Sequence, residues 1–156
     1  MPTTLLTTTL LTSPRRGFTL IELVMSVALI SIIAGIGIPV FRDMQVRNDL
    51  SLAENAMAST LRRAQVLSMS PEGDTSWGAN AQSGEVILFK GASFAARDTS
   101  YDEIFAISPT IVVSGTTEFV FAKFTGLPGT TGTLTLTSSD GDARNVSVNE
   151  KGSISY

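Results

Sequence analysis

The stretch Arg15-Arg16-Gly17-Phe18-Thr19-Leu20-Ile21-Glu22 stands directly before an apolar run that continues to Phe41. Two cations precede the glycine, one carboxylate follows it, and the next charge along the chain is Arg42. An ionised carboxylate within the apolar part of a bilayer costs about 3 kcal/mol or more, so acids that are kept there usually have a function. The pattern therefore predicts a membrane helix in which Glu22 is the functional residue.

Composition narrows the classes of function. The chain has 156 residues, no cysteine and no histidine, which excludes disulfides and cysteine nucleophiles and removes the commonest general base and metal ligand. The net charge is −3, and it becomes −5 without Arg15 and Arg16. An acidic body gives no electrostatic footprint for nucleic acid. We therefore expect neither an enzyme nor a nucleic-acid-binding protein, and we expect no cofactor or metal.

Four segments are expected along the chain: a leader peptide (1–17), a hydrophobic transmembrane helix (18–41), an amphipathic helix (42–70) and an antiparallel β domain (71–156). The apolar run from Leu23 to Phe41 would span roughly 28 Å as a helix, close to the hydrocarbon thickness of a bilayer. Arg15 and Arg16 lie on its N-terminal side. The positive-inside rule then predicts a single-pass inner-membrane protein with a cytoplasmic N-terminus and a periplasmic or extracellular body.

The apolar segment can also be compared with three simpler kinds of signal or anchor. A cleaved secretory signal needs a shorter run and a small-residue cleavage site beyond it, and the sequence from Ile38 to Arg42 supplies no such site. A twin-arginine export signal would account for Arg15 and Arg16 but not for Glu22. A plain single-pass anchor also leaves Glu22 without a role.

The segment Gly17-Phe18-Thr19-Leu20-Ile21-Glu22-Leu23-Val24 resembles the processing site of type IV prepilins and pseudopilins. The resemblance implies that a prepilin peptidase cleaves between Gly17 and Phe18 on the cytoplasmic side and methylates the new amine of Phe18. It also implies that Glu22 serves assembly. The implied partners are other pilin or pseudopilin subunits, an inner-membrane assembly platform and, indirectly, the ATPase of that platform.

Electrostatics supports the implied role of Glu22. In a bundle of parallel helices, the Phe18 ammonium of one subunit can meet the Glu22 carboxylate of its neighbour. Two charges that are unfavourable in lipid then cancel, and the pair fixes the axial register of the incoming subunit. The alternative is that Glu22 snorkels to the headgroups, which would not require the Gly-Phe-x-x-x-Glu spacing.

The end of the apolar run should be a soft part of the helix. Gly35 and Gly37 each lower helix propensity by about 1 kcal/mol, and Pro39 removes a backbone hydrogen bond. We expect a kink or an unwound stretch there in an assembled state. An ordinary proline kink in a lone transmembrane helix is equally compatible with the sequence.

Beyond Phe41 the sequence predicts a helix to about Met69 and then a β domain. The expected apolar stripe of the helix consists of Met44, Leu50, Ala53, Met57, Leu61 and Ala64. Short apolar or alternating runs predict strands at 85–90, 104–107, 110–113, 117–122, 132–137, 143–148 and 153–156. The fold class is therefore α+β, with a long N-terminal helix packed on a C-terminal antiparallel β domain.

Two acidic stretches of this β domain are expected to have structural roles. Asp140-Gly141-Asp142 is expected to form a hairpin turn rather than a calcium site, because two carboxylates are few for an ion that takes six to eight oxygens. Asp98, Asp102 and Glu103 are expected in a solvated loop.

A second resemblance concerns the C-terminal part. Phe124-Thr125-Gly126-Leu127-Pro128 and Val146-Ser147-Val148-Asn149-Glu150-Lys151-Gly152 are similar to the C-terminal domain of GspH/FimT-type minor pilins and pseudopilins. Some pilins of this type bind DNA through basic residues near the C-terminus. Here Lys151 is opposed by Glu150 and the tail has no arginine, so DNA binding is not expected.

The function expected from the sequence is structural: a minor pilin or pseudopilin of a type IV pilus or a type II secretion pseudopilus. Two alternatives remain at this point. One is a major pilin of the same kind of filament, and the other is a signal-anchored extracellular binding module that does not polymerise. A membrane-tethered enzyme is disfavoured by the absence of histidine and cysteine.

Overall fold

The computed structural model describes residues 17–70 and 75–156, without the side chains of residues 36–40. The chain divides into two compact units, Met1–Pro39 and Val40–Tyr156. A single helix, α1 (Leu20–Met69), has residues in both units and is helical throughout these bounds. Its C-terminal end agrees with the sequence prediction.

The second unit contains two antiparallel sheets of four strands each. The strands are β1 (Trp77–Gln82), β2 (Glu85–Lys90), β3 (Asp98–Ala106), β4 (Val112–Gly115), β5 (Glu118–Phe121), β6 (Gly132–Thr137), β7 (Ala143–Val148) and β8 (Ile154–Ser155). The first sheet has the order β3-β2-β1-β5 and the second β4-β6-β7-β8. Together with α1 they form an α+β arrangement like that of type IV pilins, as the sequence predicted.

The amphipathic part of α1 supplies one side of the core. Leu50, Ala53, Met57, Leu61 and Ala64 are buried against inward-facing residues of both sheets. Burial of these side chains is what attaches the helix to the sheets, since each buried aliphatic side chain contributes about 1.5–3 kcal/mol. The prediction was wrong for Met44, whose side chain is 66% exposed and stands outside the core cluster.

Strand β1 was not predicted from the sequence. Its residues Trp-Gly-Ala-Asn-Ala-Gln have a low β propensity, yet the strand lies between β2 and β5. The glycine at position 78 is explained by packing, because a Cβ there would lie 2.4 Å from the Phe89 ring and 2.6 Å from the Phe119 carbonyl oxygen. Only glycine admits this close approach, so packing rather than intrinsic propensity selects the residue.

The acidic residues of β3 are a second correction. Asp98, Asp102 and Glu103 lie in a strand and not in a solvated loop. Arg97 donates to an Asp102 carboxylate oxygen at 2.8 Å, and Arg63 of α1 donates to Glu103 at 2.6 Å. These cations pair with Asp102 and Glu103 at the sheet edge, whereas Asp98 is exposed.

One strand and one turn predicted from the sequence can also be compared with the structure. The strand predicted at 110–113 corresponds to β4, which begins two residues later. Ile111 instead belongs to a turn in which its N–H donates to the Ser108 carbonyl at 3.1 Å. The hairpin turn at Asp140-Gly141-Asp142 is confirmed between β6 and β7. There Ser138 N–H donates to the Asp142 carbonyl at 2.8 Å, and Gly141 has a φ of +88°.

Candidate functional site

The candidate site begins at the Gly17–Phe18 peptide bond. Both residues precede α1 and have no helical or strand structure. Gly17 is exposed, and the Phe18 side chain is 84% exposed. A peptide bond in an exposed, irregular segment is the kind that a protease can reach.

Thr19 defines the start of the helix. Its side-chain oxygen Oγ1 accepts a hydrogen bond from the Glu22 N–H at 3.3 Å, and its carbonyl accepts one from the Leu23 N–H at 3.2 Å. These two bonds give Thr19 the role of an N-cap residue. This role was not predicted from the sequence, although Thr-x-x-Glu before an apolar run is a known signal for a helix start.

Glu22 lies in the first turn of α1. It is exposed, and no described side chain donates a hydrogen bond to its carboxylate. A negative charge in the first turn interacts favourably with the partial positive charge of the helix N-terminus. The helix therefore stabilises the carboxylate in part and leaves its oxygens available to a second molecule.

The helix surface that follows Glu22 is apolar on every side. Every large apolar side chain from Leu20 to Ile33 is between 52% and 81% exposed. Ser26 and Ser31 donate their hydroxyls to the carbonyls four residues earlier, at 2.7 and 2.8 Å, so their polar groups are satisfied within the helix. A helix that is hydrophobic all round requires an apolar environment such as lipid or other helices.

Within the described residues, no helical segment combines the length and the apolarity needed to cross a bilayer.

Some predicted site residues can be placed only in part. Arg15 and Arg16 lie outside the described residues, and Gly37 and Pro39 belong to the stretch whose side chains are not described. Gly35 is helical, and a Cβ there would have no neighbour within 4 Å, so this glycine is not needed for close packing. The kink expected around Gly35, Gly37 and Pro39 concerns an assembled state and stays a prediction.

A second cluster lies at the C-terminal end of α1, where the loops around Phe124 and Gly152 meet the helix. The side-chain nitrogen Nε2 of Gln65 donates to the carbonyls of Gly126 and Gly152, both at 3.1 Å. Phe124 has a φ of +63°, unusual for a bulky residue, and its N–H donates to the Ser68 carbonyl at 2.7 Å. These contacts fix the two loops against the helix end.

Acidic side chains line one groove of the second unit. Asp43, Asp49 and Asp140 lie there together with Arg42. In the described ranges, no three acidic, histidine or cysteine side chains are close enough to bind one ion.

Residues 12–38 match the family model of the prokaryotic N-terminal methylation motif. The match covers the exposed Gly17–Phe18 bond, the Thr19 cap and Glu22, together with most of the apolar helix. No curated protein and no solved structure matches the chain. The motif indicates anchoring in a membrane before assembly, and it implies processing by a prepilin peptidase and association with other pilins. The chain thus carries the N-terminal signal of type IV prepilins and pseudopilins, and this signal supports a pilin-like or pseudopilin precursor.

Proposed function

We propose that this protein is a minor pilin or pseudopilin of the GspH/FimT type. In this proposal residues 1–17 are the leader, the peptidase cleaves between Gly17 and Phe18, and the new amine of Phe18 is methylated. The mature subunit is held in the inner membrane by residues 18–41, with its body outside the cytoplasm. An assembly platform and its ATPase then transfer it into a pilus or a secretion pseudopilus.

One observation carries the proposal. Glu22 is the only charged side chain that the structure describes between Gly17 and Gly35, and it lies in the first turn of a helix whose apolar surface is exposed all round. Phe18 lies four residues before Glu22, so cleavage would create an ammonium only a few residues away from this carboxylate in the chain. The apolar surface supplies the environment in which an ion pair between neighbouring subunits is strong.

The contacts at the C-terminal end of α1 support the GspH/FimT part of this proposal. The segments that resemble that domain, around Phe124 and Gly152, meet at the end of α1 through Gln65. Gly126 and Gly152 both have positive φ, and a Cβ at Gly152 would lie 2.5 Å from Gln65 Nε2. Two short segments that are distant in sequence therefore share one structural role, which favours a common domain type over two chance similarities.

The Glu22→Gln variant tests the assembly step. It keeps the size of the side chain and removes the charge, leaving the neighbouring Phe18 ammonium unpaired, which costs about 3–5 kcal/mol for a buried pair. We expect normal cleavage, normal retention in the membrane, and a loss of the subunit from sheared filaments by a factor of roughly a hundred or more. Immunoblots of the membrane and filament fractions measure this.

Asp43→Asn is the matched control, because it removes one exposed acid of α1 beyond the apolar run. It should leave the amount of subunit in filaments unchanged. A signal-anchored module that does not polymerise predicts instead that Glu22→Gln has no effect. A major pilin predicts that the protein forms most of the filament mass.

A further inference from the structure

The hydrogen bonds of α1 begin at Thr19. The first backbone bond four residues apart runs from Leu23 N–H to the Thr19 carbonyl at 3.2 Å, and the Thr19 hydroxyl takes the Glu22 N–H at 3.3 Å. Among the described residues, no backbone N–H bonds to the carbonyl of Gly17 or of Phe18. The Gly17 carbonyl is therefore accessible, two residues before the cap.

The sequence upstream contains a competing start for a helix. Ser13 followed by Pro14 has the residue types preferred at the cap and at the first helical position, and two arginines, which favour helix, come next. Gly17 opposes helix formation between the two starts. In a helix that began upstream, the Gly17 carbonyl would accept the N–H of Ile21, and the Gly17–Phe18 bond would lie inside a helical turn.

We propose that Thr19 is a positioning residue for processing, because its cap starts the helix just after the scissile bond and keeps Gly17 and Phe18 outside it. Hydrolysis adds water across that bond and leaves a carboxylate on Gly17 and an ammonium on Phe18. Thr19 touches neither reacting atom and acts through the backbone conformation. This inference rests on the proposed function, in which a prepilin peptidase cleaves this bond.

The proposal divides two roles between residues three positions apart. Thr19 controls the conformation that the peptidase meets, whereas the charge of Glu22 acts later, between subunits. A side chain at position 22 that keeps the cap geometry but loses the charge should therefore be processed normally. Glutamine meets this condition, because it is as acceptable as glutamate at the third position of a helix.

The experiment measures cleavage of the full-length precursor in detergent micelles by a purified prepilin peptidase. Thr19→Val keeps the shape of the side chain and removes the hydroxyl, while Thr19→Ser and Thr19→Asp keep an oxygen that can cap. Losing a cap changes the population of the capped start by roughly five-fold. Because only the form with the capped start binds, the KM of Thr19→Val should rise by up to that factor, with kcat nearly unchanged.

A second measurement reports the conformation directly. The carbon chemical shifts of Phe18 and Thr19 should move toward helical values in Thr19→Val and stay as in the wild type in Thr19→Ser. Adding Ser13→Ala to Thr19→Val removes the competing upstream cap and should restore part of the lost cleavage. A role of Thr19 in general stability would not produce this rescue.

Two outcomes would overturn the inference alone: Thr19→Val with the KM of the wild type, or Thr19→Ser and Thr19→Asp as slow as Thr19→Val, which would indicate direct recognition of threonine. If the wild-type precursor itself is not cleaved after Gly17, the proposed function fails and the inference with it. Normal cleavage of Thr19→Ser with impaired Thr19→Val supports both.

Discussion

The side chain of Gln65 connects two loops to the C-terminal end of α1. Its Nε2 atom donates to two carbonyls, those of Gly126 and Gly152, which belong to loops far apart in the sequence. Met69 approaches the same loop closely enough that a Cβ at Gly126 would lie 2.7 Å from its side chain. The amide of Gln65 and the hydrogen bond from Phe124 N–H to the Ser68 carbonyl therefore hold these loops against the helix end together.

Replacement of Gln65 by methionine should destabilise the body of the protein. The side chain keeps its length but loses both donors, and two partly buried carbonyls lose their partner at a cost of about 1–3 kcal/mol. Trp77 is the only tryptophan of the sequence and is buried in the core, so its fluorescence reports unfolding. We expect the urea midpoint of the full chain in micelles to fall.

Gln45→Met is the control for this prediction, since Gln45 lies on the same helix and is exposed. It should leave the midpoint where it is. Equal midpoints for Gln65→Met and Gln45→Met would show that the two carbonyls find other donors and that Gln65 is not the link.

At the level of elements, the sequence predicts best those helices and strands whose apolar residues recur in a regular pattern. The apolar stripe of α1 and the bounds of β2, β6 and β7 follow from spacing and alternation, and apart from Met44 the structure agrees with them. Strand β1 was missed because the glycine at position 78 is selected by the Phe89 ring and the Phe119 carbonyl, which are distant in sequence.

The candidate site shows the same division between local and distant signals. Gly17, Phe18 and Glu22 were predicted because their spacing resembles a known motif. The Thr19 cap is equally local and could have been found from Thr-x-x-Glu. The contacts of Gln65 could not, because nothing near it in the sequence indicates which carbonyls it meets.

Gly35 allows a test of the predicted softness of α1. Gly35→Ala should strengthen the helix by about 0.5–1 kcal/mol, and the open space around this position accommodates the new methyl group. We expect slower amide hydrogen exchange near residue 35 in the isolated subunit and fewer subunits in filaments, because an assembled state that unwinds this stretch becomes less favourable.

Ala34→Gly is the opposite change at the neighbouring position, and Ala34 is also exposed. It should speed hydrogen exchange and leave assembly intact. If filaments contain as much Gly35→Ala subunit as wild-type subunit, the prediction that a soft helix near Gly35 serves assembly is wrong.

At the scale of the whole molecule, the two units differ in whether they bury their apolar side chains. The unit Val40–Tyr156 buries its own core between α1 and two sheets. The described part of the unit Met1–Pro39 exposes its apolar side chains and one acid, so it has no core of its own there. The N-terminal methylation motif implies anchoring in a membrane before assembly and association with other pilins afterwards.

Mass spectrometry of the mature protein, isolated from the membranes of the cells that produce it, tests most directly whether the chain is a processed pilin-type subunit. Cleavage after Gly17 followed by methylation predicts a chain that begins at Phe18 and carries one additional methyl group on its N-terminal nitrogen. A mature chain that begins at Met1, or at a residue beyond Phe41, would contradict it.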